Sequence, residues 1–220
     1  MSGHDRKNAR QAESAPERPP CQLYLISPLD VSKAFPERLA RALDAGPVAA
    51  FQFRVKGIDQ HEAARLAEPL LEICRARDVA FIVNDSIALA KRLKADGVHL
   101  GQQDGDVREA RDTLGRGAQI GVTCHASRHL AMEAGEAGAD YVAFGSFFPS
   151  ETKASDHRPE PELLTWWQNL VEIPCVAIGG ITPENCRPLV EAGADFLAVS
   201  HAVWAGDEAD GVRAFAEALR

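Results

Sequence analysis

Long apolar runs, paired cysteines and an excess of positive charge are all absent from this sequence of 220 residues. No run approaches the ~18 apolar residues that a membrane span needs, so we expect no membrane partner. No apolar segment near the N-terminus could serve as a signal peptide, so we expect none. Asp and Glu number 32 against 24 Lys and Arg, a formal charge of −8. That balance argues against nucleic acid as a partner, because such a surface needs a basic face. It leaves room for a small cationic pocket.

The five cysteines are odd in number and contain no C-x-x-C pair. This pattern argues against a secreted disulfide scaffold and against a zinc ribbon. We interpret them as free thiols of a cytoplasmic protein. Cys21 and Cys175 stand beside apolar runs and are expected to be small buried hydrophobes.

A regular alternation of short apolar runs and amphipathic stretches begins at Cys21. The apolar runs are predicted to be strands buried on both faces: Gln22–Ile26, Val48–Phe53, Val79–Val83, Gly97–Leu100, Gln119–Val122, Tyr141–Phe144, Cys175–Ile178 and Phe196–Val199. Helices are predicted at Pro36–Ala45, Gln60–Arg77, Ser127–Ala137 and Asp210–Leu219, with a further helix capped at Thr182.

Eight strand–helix units in about 200 residues predict an α/β fold, a single-domain (β/α)₈ TIM barrel, over residues 21–220. Residues 1–20 carry too little apolar side chain to offset the entropy of ordering, and we expect a disordered tail there. An open doubly wound sheet is the alternative, but no Gly-x-Gly-x-x-Gly turn is present. The phrases Glu136-Ala-Gly-Ala-Asp140 and Glu191-Ala-Gly-Ala-Asp195 both lead into a strand and indicate repeated units.

The working residues of such a barrel lie at the carboxyl ends of its strands, and several charged residues occur there. Arg54 and Lys56 follow the second run, Asp85 the third, Asp104 the fourth and Lys153 the sixth. Arg presents a planar fork to phosphate oxygens, and Mg²⁺ takes one or two carboxylates together with substrate phosphates. The set predicts a magnesium-bound diphosphate. Alternatively, Asp85 caps the next helix and the two cations form a solvated strand end.

A second phosphate site is predicted at the last two strands. Gly179-Gly180 and the backbone around Val199-Ser200 occupy the loops that often cradle a phosphate in these barrels. His99 is expected to be a hydrogen-bonded barrel residue, and His125 a structural hydrogen-bonding residue. Trp166 and Trp167 are expected to pack against the outside of the barrel.

The ordered combination of several phrases resembles the thiamine-phosphate synthase family over residues 21–205. The phrases are Gln52-Phe-Arg-Val-Lys-Gly57, Phe81-Ile-Val-Asn-Asp85, Ala95-Asp-Gly-Val-His-Leu-Gly-Gln-Gln-Asp104, Gly138-Ala-Asp-Tyr-Val-Ala-Phe-Gly-Ser-Phe-Phe-Pro149, Thr152-Lys153 and Val176-Ala-Ile-Gly-Gly-Ile-Thr-Pro-Glu-Asn185. The resemblance implies a (β/α)₈ barrel that joins a pyrimidine diphosphate to a thiazole phosphate, giving thiamine phosphate and pyrophosphate.

The resemblance also implies a role for each matching residue. The pyrimidine diphosphate would be held by Gln52, Arg54, Lys56, Asn84 and Lys153, with Thr123 touching the diphosphate region. Asp85 and Asp104 would bind Mg²⁺. The thiazole phosphate would be held by Ser150, Thr152, Gly180, Val199 and Ser200. Arg54, Lys56 and Lys153 would also stabilise the leaving diphosphate.

Departures from the family pattern fall beside these residues. Val55 stands where a Glu is common, Thr123 and Ser150 exchange one hydroxyl for another, and the loop Ala154–Pro161 differs and is expected to close as a lid. The thiazole tautomerase relatives, which use a His aligned with His125, remain an alternative. So does a non-catalytic barrel that binds a thiamine precursor. We expect small phosphorylated substrates as partners; self-association into a homo-oligomer stays open.

Overall fold

The computed structural model describes residues 19–149 and 158–220. Eight parallel strands close into a barrel in chain order, and the last pairs with the first. The strands are β1 Gln22–Ile26, β2 Ala50–Phe53, β3 Ala80–Asn84, β4 Gly97–Leu100, β5 Gln119–His125, β6 Tyr141–Gly145, β7 Cys175–Ile178 and β8 Phe196–Val199. The helices are α1 Phe35–Ala45, α2 Gln60–Arg75, α3 Ile87–Leu93, α4 Val107–Leu114, α5 Arg128–Glu136, α6 Glu162–Leu170, α7 Arg187–Glu191, α8 His201–Trp204 and α9 Glu208–Ala218.

The predicted (β/α)₈ barrel is confirmed, and most differences lie at the ends of elements. β5 runs on to His125, past the predicted end at Val122. The register with β6 shifts between Thr123 and His125, so a bulge carries the strand further along its neighbour. The disordered tail predicted for residues 1–20 lies almost wholly outside the described residues and stays a prediction.

Side-chain caps decide where several helices begin. Ser127 accepts a hydrogen bond from the backbone N–H of Leu130 and caps α5, as predicted. The cap predicted at Thr182 is wrong, because α7 begins only at Arg187. Asn185 holds that segment in a turn instead. Its side chain accepts from the N–H of Thr182 at 2.8 Å and donates to the carbonyl of Gly180 at 2.9 Å. The loop after β7 is therefore a turn held by an amide.

The core has two layers, because strand side chains alternate between the barrel interior and the surrounding helices. The outer layer is the larger, and Phe51, Phe81 and Trp167 are fully buried in it. Trp167 packs edge-on against Phe144, as expected for a helix on the outside of the barrel. The interior cluster contains Tyr24, Ile26, Ile82, Tyr141, Ala143, Val176 and Ala198.

All five cysteines are free, which confirms the prediction from their spacing. Cys175 is buried as expected, whereas Cys21 is only partly buried. Among the residues that the structure describes, no helix is both long and apolar enough to cross a bilayer.

Candidate active site

The carboxyl ends of the strands and the loops after them form one rim, called the carboxyl rim below. Arg54 directly follows β2 there and is half-buried. Its backbone is held on both sides by Ser27, which follows β1: the N–H of Arg54 donates to Ser27 Oγ at 2.9 Å, and that hydroxyl donates to the carbonyl of Arg54 at 3.1 Å. Ser27 is only 2% exposed. Because it is buried and bonds to the backbone of Arg54, it fixes the point at which the arginine side chain leaves the barrel.

Two carboxylates meet beside the cations of β2. Asp85 directly follows β3 in the left-handed region, with φ 66°, and its N–H donates to the carbonyl of His99 at 2.8 Å. Ser86, not Asp85, caps α3, so the capping alternative for Asp85 is wrong. Burial raises the pKa of Asp85, the charge of Asp104 and a hydrogen bond with it raise that pKa further, and Lys56 and Arg54 lower it. The four charged groups therefore share one electrostatic environment.

Asp104 reaches this position because its loop turns back on itself. Its Oδ2 accepts from the N–H of Gly101 at 3.0 Å, and a side chain at Gly101 would collide with that carboxylate. The loop is joined to β5 by Gln102, whose amide donates to the carbonyl of Thr123 at 2.6 Å.

The donor set suits a divalent cation that keeps part of its water shell. Asp85 and Asp104 offer hard oxygen ligands, and their mutual repulsion is what a bound cation would relieve. Within the described ranges, no group of three or more His, Cys, Asp or Glu residues could form an all-protein metal cage. Two carboxylates completed by substrate phosphates and waters fit Mg²⁺ better than Ca²⁺ or Zn²⁺.

Gln52 on β2 and Thr123 on β5 are joined through the barrel interior by a run of hydrogen bonds, called the interior chain below. It consists of Gln52, Tyr24, Tyr141, His99 and Thr123. Gln52 Nε2 donates to Tyr24 Oη at 2.9 Å, and the two phenol oxygens are 3.0 Å apart. Tyr141 Oη is 3.1 Å from His99 Nδ1, and His99 Nε2 is 2.8 Å from Thr123 Oγ1.

Gly180, Val199 and Ser200 lie together at the ends of β7 and β8. Gly180 has φ 62°, and a side chain there would overlap the carbonyl oxygen of Pro149 in the loop after β6. Glycine is therefore required for that loop to lie against the end of β7. Val199 is the buried last residue of β8, and the hydroxyl of Ser200 approaches the carbonyl of Ser27 at 3.5 Å.

The structure does not describe every predicted site residue. Ser150, Thr152 and Lys153, with residues 154–157 of the expected lid, lie outside the described residues. Asn84 is the last residue of β3, on the same rim as Asp85. His125 ends β5 with φ 52°, which places the tautomerase residue on the rim as well.

Sequence reasoning missed three polar residues that support this site: Ser27, Tyr24 and Tyr141. The two tyrosines stand inside apolar strand runs and there resemble core residues. The available signal was the hydroxyl itself, because a buried phenol O–H needs a hydrogen-bond partner. Among described residues, no buried side-chain nitrogen or oxygen lacks one. The prediction that His99 is a hydrogen-bonded barrel residue is confirmed.

The fold and the charged rim define a class: single-domain (β/α)₈-barrel enzymes, which carry their chemistry at the carboxyl ends of the strands. The family model described as thiamine monophosphate synthase matches residues 23–203, and the chain belongs to that family.

Individual relatives agree with this assignment. The chain is 75% identical over 204 residues to a thiamine-phosphate synthase of Erythrobacter litoralis, covering 91% of this chain and 96% of the relative. It is 57% identical over 185 residues to one of Rhodospirillum centenum, covering 84% and 89%. A solved structure of a thiamine phosphate pyrophosphorylase from Pyrococcus furiosus superposes with a TM-score of 0.80 at 32% identity, covering 90% of this chain and 95% of that one.

Proposed function

We propose that this chain is a thiamine-phosphate synthase that joins 4-amino-5-hydroxymethyl-2-methylpyrimidine diphosphate to 4-methyl-5-(2-hydroxyethyl)thiazole phosphate. The bond between the pyrimidine methylene carbon and the diphosphate oxygen breaks, and the diphosphate leaves with the electron pair. The ring nitrogen of the thiazole then forms a bond to that carbon with its own lone pair. The products are thiamine phosphate and pyrophosphate.

The observation that carries this proposal is that Arg54, Lys56 and Asp104 all lie close enough to Asp85, at the carboxyl rim, to shift its pKa. A reaction whose barrier is the departure of a highly charged group is accelerated by fixed positive charge placed where that charge develops. Arg54 and Lys56 are assigned this role, together with Lys153. Gln52, Asn84 and Thr123 would orient the pyrimidine and its diphosphate.

Asp85 and Asp104 would hold Mg²⁺, which on binding neutralises part of the charge on the leaving diphosphate. The two aspartates would fix the position of that positive charge. Asp85 is held at the end of β3 by its backbone N–H, which donates to the carbonyl of His99, and Asp104 is held by the N–H of Gly101, which donates to its Oδ2. Without a counter-cation their repulsion disfavours the doubly ionised pair.

The thiazole phosphate, which receives the pyrimidine group, needs binding and alignment more than proton transfer. Gly180 and the backbone of Val199 and Ser200, with Ser150 and Thr152, would hold the thiazole phosphate. The thiazole nitrogen already carries a free lone pair, so no general base is required. Holding both substrates on one rim converts the coupling to a step between aligned neighbours.

A coupling assay tests the proposal directly. Purified protein is mixed with both phosphorylated substrates, with and without Mg²⁺, and scored for thiamine phosphate and pyrophosphate. Magnesium-dependent product is expected from the wild type. Asp85→Asn and Asp104→Asn should each lower kcat/KM by about 100-fold or more, the size seen when one electrostatic partner of a transition state is removed.

Asp112→Asn is the matched control, because Asp112 is an exposed carboxylate on α4; it should retain wild-type activity. Full, magnesium-dependent activity in both rim variants would contradict the metal assignment. A folded wild type that yields no product would overturn the synthase proposal, and His125→Asn in a thiazole tautomerase assay would then be the next measurement.

A further inference from the structure

The interior chain can join β4 to β6 because the residue of β5 that lies between His99 and Tyr141 is Gly121, which has no side chain. His99 on β4, Gly121 on β5 and Tyr141 on β6 share one register. A Cβ at Gly121 would overlap the ring of Tyr141. With glycine there, the imidazole and the phenol come together across β5, with ring centroids 5.6 Å apart and planes inclined by 26°. The sequence thus leaves a gap that lets β4 contact β6.

The hydrogen bonds of the interior chain can all run in one direction, starting from Gln52. Gln52 Nε2 can only donate, so Tyr24 Oη accepts from it. Tyr141 is the other hydrogen-bond partner of Tyr24 among the described residues, so Tyr24 can give its one proton to Tyr141, and Tyr141 can give its own to His99 Nδ1. A neutral imidazole that accepts at Nδ1 carries its proton on Nε2, which donates to Thr123 Oγ1. The hydroxyl proton of Thr123 is then available for an acceptor outside the interior chain.

The protonation states of its members fit this order. His99 is buried, and both of its ring nitrogens contact hydroxyl groups, Tyr141 Oη and Thr123 Oγ1, so a neutral imidazole satisfies both contacts without a buried charge. Burial raises the pKa of Tyr24 to about 12 and that of Tyr141 well above its ordinary value. Each of the three rings therefore has one proton to donate.

We propose that His99 and Tyr141 are positioning residues, which set Thr123 as a hydrogen-bond donor facing the phosphate-bearing substrate at the carboxyl rim. Gln52 sets the order of donors and acceptors at one end of the interior chain by donating to Tyr24. At the other end Thr123 accepts from His99 and keeps its own hydroxyl proton to donate. In the reverse order Thr123 would give its proton to His99 and present only lone pairs, which repel a diphosphate oxygen. The nature of the acceptor rests on the proposed function; the direction of the hydrogen bonds in the interior chain does not.

The direction can be measured without substrate. In ¹⁵N-histidine-labelled protein at pH 7, the ring-nitrogen chemical shifts distinguish the two neutral tautomers and the imidazolium. His99→Gln and His99→Asn each identify the His99 signal by its loss, so either variant is sufficient. We expect a proton on Nε2 and none on Nδ1. A proton on Nδ1, on both nitrogens or in a mixture dominated by Nδ1 would overturn the proposal, whether or not the enzyme is active.

The same two variants test whether His99 acts through its donor nitrogen. The longer Gln side chain can place an N–H near the position of Nε2, whereas Asn reaches only as far as Nδ1. We expect His99→Asn to lose about 10- to 100-fold in kcat, the range for a hydrogen bond to a charged group, and His99→Gln to recover most of that loss. Equal losses in the two variants at matched stability would contradict the assignment.

A double-mutant cycle tests the last step through Thr123. Tyr141→Phe removes the proton that holds His99 in its tautomer, and Thr123→Val removes the hydroxyl that His99 orients. If Tyr141 acts through Thr123, Tyr141→Phe should lower kcat in the wild-type background but have little further effect on Thr123→Val. Additive losses would show that Tyr141 acts independently of Thr123 and would overturn the positioning role.

Discussion

At the scale of single residues, Ser27 has an influence out of proportion to its size. Its hydroxyl both accepts from and donates to the backbone of Arg54, and its carbonyl lies near the hydroxyl of Ser200. One buried residue after β1 therefore contacts Arg54, proposed to bind the diphosphate, through its side chain, and Ser200, proposed to bind the thiazole phosphate, through its backbone carbonyl. An error of about 1 Å in the position of a binding group can cost about 100-fold in rate.

Ser27→Ala should therefore lower kcat/KM for the pyrimidine diphosphate by about tenfold, because Arg54 loses the hydroxyl that sets its backbone. Steady-state kinetics with each substrate varied in turn provide the measurement. Ser127→Ala is the control: it removes the cap of α5 and so costs stability without touching Arg54. If the two variants lose equal stability and both keep wild-type kcat/KM, Ser27 has no role in positioning Arg54.

Residues whose position follows from strand order could be predicted, and residues defined by packing could not. Arg54, Asp85 and Asp104 each follow an apolar run, and parallel strands bring such positions to one rim. Tyr24 and Tyr141 share their runs with Leu, Ile and Val, so only the structure separates them from the core. The contact of Tyr141 with His99 also depends on the space left by Gly121, which no local sequence pattern predicts.

At the scale of elements, three aspartates of similar local sequence tie adjacent strands at the amino end of the barrel. Asp96, Asp140 and Asp195 each precede an even-numbered strand. Each donates its backbone N–H to a residue near the start of the preceding strand and accepts that residue's N–H on Oδ2. The partners are Phe81, Ile120 and Cys175, with N–H···Oδ2 distances of 2.7, 2.7 and 2.8 Å. The repeated Gly-Ala-Asp phrases are thus structural ties.

Asp195→Ala should lower the free energy of unfolding by about 1–3 kcal/mol, because it leaves the buried N–H of Cys175 without its acceptor. Asp195→Asn keeps an oxygen at that position and should cost less than half as much. Urea denaturation gives both values. Coupling activity well below the unfolding range should stay at the wild-type level, since the carboxyl rim is at the other end of the barrel. A loss of activity without a loss of stability would contradict a purely structural tie.

The same scale shows where element boundaries escape prediction. The sequence Thr182-Pro183-Glu184 suggested a helix start, but Asn185 holds the turn with its side-chain amide, and α7 begins only at Arg187. β5 continues past Val122 because a bulge keeps it paired with β6. Both outcomes depend on neighbours distant in sequence, which local propensity does not contain.

At the scale of the whole molecule, closing the barrel requires the two ends of the folded chain to meet. We call the contact between α1 and the α8–α9 segment the closure seam. Arg38 on α1 donates to Glu208 Oε2 at 2.8 Å and to the carbonyl of Trp204 at 2.8 Å. Arg41 donates to Glu208 Oε1 at 2.7 Å, and the ring of Phe35 lies 5.0 Å from that of Trp204. Glu208 is only 3% exposed.

The charge of Glu208 makes the closure seam sensitive to acid. Burial alone would raise the pKa of Glu208, but its hydrogen bonds with Arg38 and Arg41 outweigh burial and hold the pKa below its ordinary value. A carboxyl whose pKa is lowered on folding stabilises the fold fully above its unfolded pKa, about 4.3. That stabilisation is lost as the pH falls through the folded value.

Glu208→Gln should therefore lower the free energy of unfolding at pH 7 by about 1.5–3 kcal/mol, the range for hydrogen bonds to a charged group. The cost stays below that of breaking a fully buried ion pair, because Arg41 is 55% exposed and water can hydrate it. Urea denaturation from pH 7 to pH 3 should show a constant gap between wild type and variant down to about pH 5, narrowing below about pH 4. Glu217→Gln, an exposed change on the same helix, should show no gap. If the Glu208→Gln gap instead persists unchanged at pH 3, Glu208 stabilises the seam by packing, and its charge contributes nothing.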